Sequence, residues 1–179
     1  MSYTVFSDGG CVPNPGPGGW GAIVVFPDGH RQELNGFDHA CTNNRMELMG
    51  VLQGLSLIPN DSEVTVVSDS QYVINGGLRW IDSWKRKGWK TAAKSNVLNR
   101  DLWESIDAER SRLRIQWVWV RGHAGHAENE RCDTLAGLAI RARASTIGAR
   151  AVPASARPPV APALNSLQPA LLEPPTSAR

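Results

Sequence analysis

Residues 20–37 read WGAIVVFPDGHRQELNGF, and this stretch decides the class of fold. Two β-type runs, at residues 20–26 and 30–37, flank the tripeptide Pro27-Asp28-Gly29. Proline presets φ and glycine tolerates a positive φ, so the tripeptide favours a tight hairpin turn. The sequence therefore predicts two antiparallel strands here, around which the rest of the chain must be arranged.

Strands and helices are predicted on both sides of this hairpin. A strand opens the chain at residues 3–7, and the Gly/Pro-rich residues 9–19 are expected to form a loop. A hairpin followed by strand–helix crossovers predicts an α/β fold with a mixed sheet and helices packed on it. The remaining predicted elements are helices at 43–57, from about 70 through Trp80 and Trp84, at 101–112 and at 128–143, and strands at 64–68 and 113–120.

Composition changes near residue 145. Seven prolines follow that point, among alanine, serine and arginine. Such a segment buries few groups and cannot compensate for its ordering entropy. We therefore predict a folded catalytic domain at residues 1–145 and a disordered Pro/Ala-rich tail at 146–179. A tail that docks on an unknown partner is the alternative.

The length, composition and net charge of the chain exclude some classes of protein. Its 179 residues are 41% hydrophobic, enough for one domain with a core, and a net charge of +2 does not by itself indicate a nucleic-acid binder. Cys11, Cys41 and Cys132 form no CxxC motif, so we expect reduced thiols and neither a disulfide framework nor a zinc ribbon. No signal-peptide pattern and no apolar run of about 20 residues occurs, which predicts a cytoplasmic protein with no membrane partner. No hydrophobic interface is evident, so a monomer is expected.

Four acidic residues stand where an acid is costly unless it has a function. Asp8 and Asp69 each follow a predicted strand, Glu47 lies inside an otherwise apolar helix, and Asp133 borders the apolar stripe of the last helix. Strand ends and facing helices can converge on one site, where unpaired carboxylates would repel one another. A bound cation resolves that repulsion, and oxygen ligands without a His/Cys set favour Mg²⁺ or Mn²⁺ over zinc.

Two glycines support the placement of Glu47. Gly50 and Gly54 follow it by three and seven positions, on the same helix face. Glycine inside a helix costs about 1 kcal/mol relative to alanine. A close approach to the sheet would explain both glycines and carry Glu47 towards Asp8 and Asp69. Taken singly, however, Asp69 could be a helix cap and the other acids could be solvated surface residues.

A series of motifs, several of them six or more residues long, runs along the chain. They are DGGC at 8–11 with NPGPGGWGA at 14–22, TNNRMELM at 42–49, SDSQYV at 68–73, and WVRGHAGH at 119–126 with ENERCD at 128–133. Together they resemble the motifs of bacterial type 1 ribonuclease H, over about residues 3–142 and in the family's order. The resemblance implies a ribonuclease H-like fold, with a five-stranded mixed sheet of order 3-2-1-4-5 whose first three strands are antiparallel. The tail matches nothing in the family.

The resemblance also implies an activity. The chain would be an endoribonuclease that hydrolyses the RNA strand of RNA–DNA hybrids and leaves 5′-phosphate and 3′-hydroxyl ends. Asp8, Glu47, Asp69 and Asp133 would be catalytic and would bind two Mg²⁺ ions, with Mn²⁺ as a substitute. Asp8, on the central strand, is expected to bridge both ions. His123 would assist proton transfer or product release.

Short polar groups are expected to distinguish RNA from DNA, because the ribose 2′-hydroxyl is read across a minor groove. Asn43 and Asn44 could instead serve only as helix caps. Trp103 matches a position near the DNA backbone but could equally be core. The residues that match the family's hybrid-binding positions are Cys11, Asn14, Asn43, Asn44 and Gln71, with Thr42 and Asn99 in its phosphate pocket.

A tryptophan-rich basic stretch resembles the basic protrusion with which the bacterial enzymes grip the DNA strand. Its cations are expected to meet phosphates and its aromatic rings to stack on sugars or bases. The alternative is a solvated helix with ordinary tryptophan packing. Binding through phosphates predicts an affinity that falls steeply with salt and depends little on base sequence. The basic protrusion comprises Trp80, Trp84, Lys85, Arg86, Lys87, Trp89 and Lys90.

Other functions fit less well. A non-catalytic hybrid-binding module would be expected to have lost an acid, and none of the four is missing. A DNA-cutting relative, such as a transposase or a junction resolvase, lacks this basic protrusion and the Asn/Gln set. A zinc site built from His123, His126 and Cys132 is disfavoured because the spacing matches no zinc motif.

Overall fold

The computed structural model describes residues 2–122 and 125–152. A six-stranded sheet has the order β5-β4-β1-β2-β3-β6. Neighbouring strands are antiparallel from β1 through β2 and β3 to β6, whereas β4 runs parallel to both β1 and β5. The predicted order 3-2-1-4-5, with three antiparallel strands first, is confirmed within this sheet. The strands are β1 (Ser2–Cys11), β2 (Gly16–Val25), β3 (Arg31–Cys41), β4 (Glu63–Ser68), β5 (Arg114–Trp119) and β6 (Thr146–Val152).

The helices lie close to their predicted positions. No helix among the described residues is both long and apolar enough to cross a membrane. A π-helical turn, Gly76–Trp80, joins the second helix to the third. The helices are α1 (Asn43–Ser56), α2 (Gln71–Asn75), α3 (Ile81–Arg86), α4 (Arg100–Arg112) and α5 (Ala127–Ala142).

Side-chain caps set the starts of α1 and α2. The Thr42 hydroxyl accepts the Arg45 N–H at 3.3 Å, so Thr42 is the N-cap of α1. The Ser70 hydroxyl accepts the Val73 N–H at 3.3 Å and caps α2. Because Ser70 has this role, the alternative that Asp69 is there to cap the helix is removed.

Hydrophobic cores cover both faces of the sheet. Alternating residues of β1 and β2 face α1 on one side and α5 on the other, so the larger core includes Val5 while the smaller one includes Phe6. Trp103 is fully buried and donates from Nε1 to the Tyr72 hydroxyl at 3.0 Å, which assigns it to the core. The predicted apolar stripe of the last helix is confirmed, since all four of its residues are buried: Cys132, Leu135, Ala136 and Ala139.

The predicted loop at residues 9–19 is wrong for most of its length. β1 continues to Cys11 and β2 begins at Gly16. A Cβ at Gly9 would lie 2.5 Å from the backbone of Met46, and one at Gly19 would lie 2.6 Å from the Ala136 carbonyl oxygen. These glycines are present because helices lie directly on the strands, not because the chain turns.

The hairpin is confirmed and the predicted tail boundary is revised. Gly29 has a φ of +84° and donates to the Phe26 carbonyl at 2.9 Å, as a tight turn requires. β6 pairs antiparallel with the edge of β3, although its residues were assigned to the disordered tail. Strand pairing uses main-chain groups, and residues 144–152 contain no proline, so this stretch can pair without a large apolar content. Residues 153–179 lie outside the described residues.

Candidate active site

Carboxylates from three elements meet beside the centre of the sheet. Asp8 lies in β1, Glu47 in α1, and Asp69 directly after β4. One carboxylate oxygen of each lies within 4.8 Å of those of the other two. Within residues 2–122 and 125–152, this is the only such group of three His, Cys, Asp or Glu side chains. We call Asp8, Glu47 and Asp69 the carboxylate cluster.

Strand register places two of these acids side by side. β1 and β4 are parallel neighbours in which Phe6 pairs with Val67. Asp8 and Asp69 each lie two residues further along, so they reach the same height on adjacent strands, with Asp8 inside β1 and Asp69 directly after β4. Parallel pairing thus converts a separation of about sixty residues in the chain into direct proximity.

The third acid reaches the cluster because α1 lies unusually close to the sheet. A Cβ at Gly54 would lie 2.5 Å from the Val5 side chain, and one at Gly50 would lie 3.2 Å from the Ser7 Cβ. Larger residues at these positions would push the helix away. The prediction that this glycine face approaches the sheet and carries Glu47 with it is confirmed.

The cluster has the electrostatic character of a cation site. The Oε2 atom of Glu47 and the Oδ1 atom of Asp69 are sealed from solvent, and neither has a hydrogen-bond partner among the described residues. Burial, and then the charges of Asp8 and Asp69, raise the pKa of Glu47 well above its usual value. Hard, anionic oxygen atoms with free lone pairs are the ligands that divalent cations such as Mg²⁺ prefer. The residues present therefore fit a divalent metal.

Two hydrogen bonds hold Asp69 in place. Asn129 donates from Nδ2 to Asp69 Oδ2 at 3.3 Å, and Trp119 donates from Nε1 to the Asp69 carbonyl at 2.9 Å. A Cβ at Gly122 would overlap Asp69 Oδ2, so that glycine leaves room for the carboxylate. Sequence reasoning missed Asn129. The available signal was its position three residues before Cys132, which puts a polar side chain on an apolar helix stripe.

Asp133 does not join the three clustered acids. It is exposed on α5, one helical turn after Asn129, and therefore lies at the rim of the site. Its neighbour Cys132 is buried, and burial followed by the charge of Asp8 raises the pKa of that thiol. The assignment of Asp133 as a metal ligand stays a prediction. His123 lies outside the described residues, so its assignment stays a prediction as well.

Several of the predicted hybrid-binding residues form a connected rim beside the cluster. The Cys11 N–H donates to Asn43 Oδ1 at 2.8 Å, and the Asn43 N–H donates to Asn14 Oδ1 at 3.2 Å. Asn14, Asn43 and Asn44 are exposed, as is Gln71 at the start of α2. The Cys11 side chain, in contrast, is buried, so its thiol is not presented to solvent.

The two residues predicted for a phosphate pocket stand at neighbouring helix starts. Thr42 precedes α1 and Asn99 precedes α4. Arg45 joins these helix ends through two hydrogen bonds to the Asp101 carboxylate, at 3.0 and 2.7 Å. Helix N-termini present free N–H groups and a partial positive charge, which suits a phosphate.

The tryptophans of the basic protrusion pack inwards. Trp80 and Trp89 are only 6% and 9% exposed. The Trp84 ring centroid lies 5.6 Å from those of Trp80 and Trp103. The expectation that these rings stack on sugars or bases is therefore wrong for Trp80 and Trp89, because core packing already covers their faces.

The cations of the basic protrusion face solvent. Arg86 and Lys87 are exposed at the end of α3. Lys85 forms an ion pair with Asp107 at 2.7 Å, and Lys90 donates to the Asn96 side chain at 2.5 Å. The basic protrusion is thus a set of solvated cations supported by a tryptophan core.

Comparisons with known proteins agree with this fold and site. The RNase H family model matches residues 1–141. Ribonuclease H of Pseudomonas savastanoi pv. phaseolicola is 52% identical over 139 residues, covering 78% of this chain and 93% of that protein. Ribonuclease HI of Pseudomonas syringae pv. tomato is 51% identical over 139 residues, covering 78% and 92%. The crystal structure of LC9-RNase H1, a type 1 RNase H with the type 2 active-site motif, matches with a TM-score of 0.72 and 30% identity, covering 81% of this chain and 74% of that one.

A mixed sheet with an acidic cluster beside its central strand, together with these similarities, defines a nuclease of the ribonuclease H class. The chain belongs to the ribonuclease H family, and its curated relatives place it among the bacterial type 1 enzymes. The resemblance drawn from the sequence motifs is confirmed.

Proposed function

We propose that this chain hydrolyses the RNA strand of RNA–DNA hybrids internally, with two Mg²⁺ ions that Mn²⁺ can replace. The observation that carries this proposal is the carboxylate cluster, in which Glu47 and Asp69 hold sealed oxygen atoms that have no hydrogen-bond partner among the described residues. Family membership supplies the reaction class. Action as a cytoplasmic monomer remains a prediction.

Asp8, Glu47 and Asp69 would hold the ions, with Asp133 as a fourth ligand at the rim. When bound, such ions lower the pKa of an attacking water and neutralise charge on the leaving 3′ oxygen, giving a 5′-phosphate and a 3′-hydroxyl. Asp8 stands on the central strand β1, within 4.8 Å of both other acids, so it would help to hold both ions. Asn129 fixes the orientation of the Asp69 carboxylate through its 3.3 Å hydrogen bond.

His123 is the proposed proton carrier. On the family resemblance it assists proton transfer at the leaving oxygen or the release of product. Its proposed contribution is auxiliary, because the carboxylate cluster would hold the ions without it. Loss of this side chain should therefore slow turnover without abolishing it.

Two surfaces would hold the hybrid. Asn14, Asn43, Asn44 and Gln71 are exposed beside the cluster, where short polar groups suit recognition of a 2′-hydroxyl in a minor groove. The cations of the basic protrusion would contact phosphates of the DNA strand. Contacts to sugar and phosphate carry little base information, so cleavage should depend weakly on base sequence.

The proposal is tested by comparing a labelled RNA–DNA hybrid with duplex RNA and duplex DNA, each in Mg²⁺, Mn²⁺ or EDTA. We expect internal cuts in the RNA of the hybrid alone, with 5′-phosphate ends and no reaction in EDTA. Asp8→Asn should reduce the rate about 10³-fold, as expected for loss of a transition-state charge contact.

Asp28→Asn is the matched control, since Asp28 is an exposed acid in the β2–β3 turn. It should leave the rate within about twofold of wild type. Cleavage in EDTA, or a rate for Asp8→Asn within about tenfold of wild type, would remove the metal mechanism. Equal cleavage of duplex DNA would remove the proposed substrate.

A further inference from the structure

Two thiols face each other at the end of the sheet next to α1. The sulfur atoms of Cys11 and Cys41 lie 2.6 Å apart. Cys11 is the last residue of β1 and Cys41 is the last residue of β3. Both side chains are buried, and both cysteines are free thiols. Neither sulfur has a part in the proposed hydrolysis.

The sheet brings these sulfurs together across an intervening strand. In β2, Gly18 pairs with Cys11 and Gly16 pairs with Cys41, with a register shift between the two glycines. A Cβ at Gly18 would overlap both sulfur atoms. The missing side chain at Gly18 therefore opens the space in which the two thiols meet.

A metal does not explain this pair. Structural zinc sites use four ligands. In the described part of the chain, the only group of three or more possible ligands within 4.8 Å of one another is the carboxylate cluster. Cys11 and Cys41 have each other and, for Cys41, a 3.4 Å contact to the Gly16 carbonyl oxygen. Two thiols in contact, with no third metal ligand among the described residues, form a dithiol that can be oxidised to a disulfide.

We propose that Cys11 and Cys41 are a modification site, converted reversibly into a disulfide by peroxides. The disulfide would tie the end of β1 to the end of β3. A sulfur–sulfur bond is about 2.05 Å long, so the two sulfurs already lie close to bonding distance.

The chemistry balances with hydrogen peroxide as the oxidant. The Cys11 thiolate attacks one peroxide oxygen, the O–O bond breaks, and hydroxide leaves, which gives a sulfenic acid on Cys11. The Cys41 sulfur then attacks the Cys11 sulfur, the S–O bond breaks, and a second hydroxide leaves. The two hydroxides take up the two thiol protons, so two waters form and two electrons pass from the sulfurs to the peroxide. A thiol reductant reverses the change by exchange.

Cys11 is the sulfur that attacks first. Burial and the hydrogen bond with Cys11 raise the pKa of Cys41 to about 12. Burial raises the pKa of Cys11 too, but there the hydrogen bond with Cys41 acts in the opposite direction. Because the thiolate is the reactive form, both buried thiols should react slowly at neutral pH, with Cys11 ahead of Cys41.

The test uses the full-length chain, reduced and then incubated at low concentration with hydrogen peroxide. Before alkylation, we expect a mass about 2 Da below that of the reduced chain. After denaturation and alkylation, we expect one alkylated cysteine, at Cys132, and a peptide that links Cys11 to Cys41. A disulfide that closes the segment from Cys11 to Cys41 should raise the Tm by roughly 5–10 °C. A reductant should restore three alkylated cysteines and the original Tm.

Cys41→Ser is the matched variant, since serine keeps the size of the side chain. It should show neither the mass loss nor the rise in Tm. Peptide mapping of the wild-type chain decides the question even if this variant unfolds. Three alkylated cysteines after peroxide, a link to Cys132 or between two chains, or terminal oxidation of Cys11 without a link would each overturn the proposal.

Discussion

The carboxylate cluster and the basic protrusion differ in how their charges are surrounded: the first is partly buried and the second is exposed to solvent. In the cluster, three acids converge within 4.8 Å and two of their oxygens are sealed from solvent without a hydrogen-bond partner among the described residues. In the basic protrusion, Arg86 and Lys87 are exposed, and Lys85 has a carboxylate partner in Asp107. The negative charge of the cluster needs a cation from outside the chain to compensate for it. The positive charges of the protrusion are already stabilised by solvent and by the Asp107 carboxylate.

This difference separates two kinds of functional residue. Burial of like charges destabilises the fold unless a ligand compensates for it. Solvated cations and surface ion pairs contribute only about 0–1 kcal/mol to stability. Substitutions in the cluster should therefore change catalysis and stability together, whereas substitutions in the protrusion should change substrate binding alone.

The largest expected effect is on turnover in the cluster. Glu47→Gln removes one anionic ligand while keeping the size of the side chain, so we expect kcat on a hybrid to fall about 10²-fold or more. The control is Glu104→Gln, because Glu104 is a half-exposed acid paired with Arg100 on α4. Single-turnover rates in Mg²⁺ measure both variants. A kcat within threefold of wild type for Glu47→Gln would contradict the role of the cluster.

The second effect is on binding at the basic protrusion. Replacing Arg86, Lys87 and Lys90 together with glutamine should raise KM for the hybrid about tenfold at 0.1 M salt and leave kcat unchanged. The slope of log affinity against log salt should decrease by roughly 1–3 units, because fewer counterions are released. A variant with Arg114, Arg141 and Arg143 replaced by glutamine removes the same three positive charges outside the protrusion and controls for net charge. Identical salt slopes for the two variants would show that the protrusion does not hold phosphates.

A smaller effect is expected next to the cluster, at Asn129. Asn129→Ala removes the hydrogen bond to Asp69 Oδ2, so the Mg²⁺ concentration for half-maximal activity should rise about tenfold. Asn75→Ala is the control, since it removes a buried amide that donates to the Gln71 carbonyl. If both variants shift the Mg²⁺ dependence equally, Asn129 has only a structural role.

The smallest effect is on stability without metal. The pKa of Glu47 is raised above its ordinary value of 4.5, so the folded chain binds a proton more tightly than the unfolded chain. The contribution of Glu47 to stability is then fully present below pH 4.5 and is lost as pH rises through the raised folded-state pKa. In EDTA at pH 7, Glu47→Gln should melt several degrees above wild type, and the gap should close below pH 4.5. Thermal melts across this pH range check it, and a lower Tm for Glu47→Gln at pH 7 would contradict it.

Much of the fold and the site follows from the sequence, because the signals are local or repeated within one element. The Pro27-Asp28-Gly29 turn, the Thr42 cap and the apolar stripe of α5 each depend on residues a few positions apart. The glycines on the face of Glu47 indicated a close contact before the contacting strand was known. Long motifs in family order then identified the clustered acids.

Tertiary structure alone decided the remaining features. Glycine permits both a turn and a close approach, so residues 9–19 could be assigned to strands only once helices were seen to lie on them. Tryptophan suits both a core and a nucleic-acid surface, and only packing showed that Trp80 and Trp89 face inwards. Asn129 beside Asp69, and Cys11 beside Cys41, are pairs whose members lie far apart in the chain. Such proximity is set by strand register and helix placement, which no local pattern encodes.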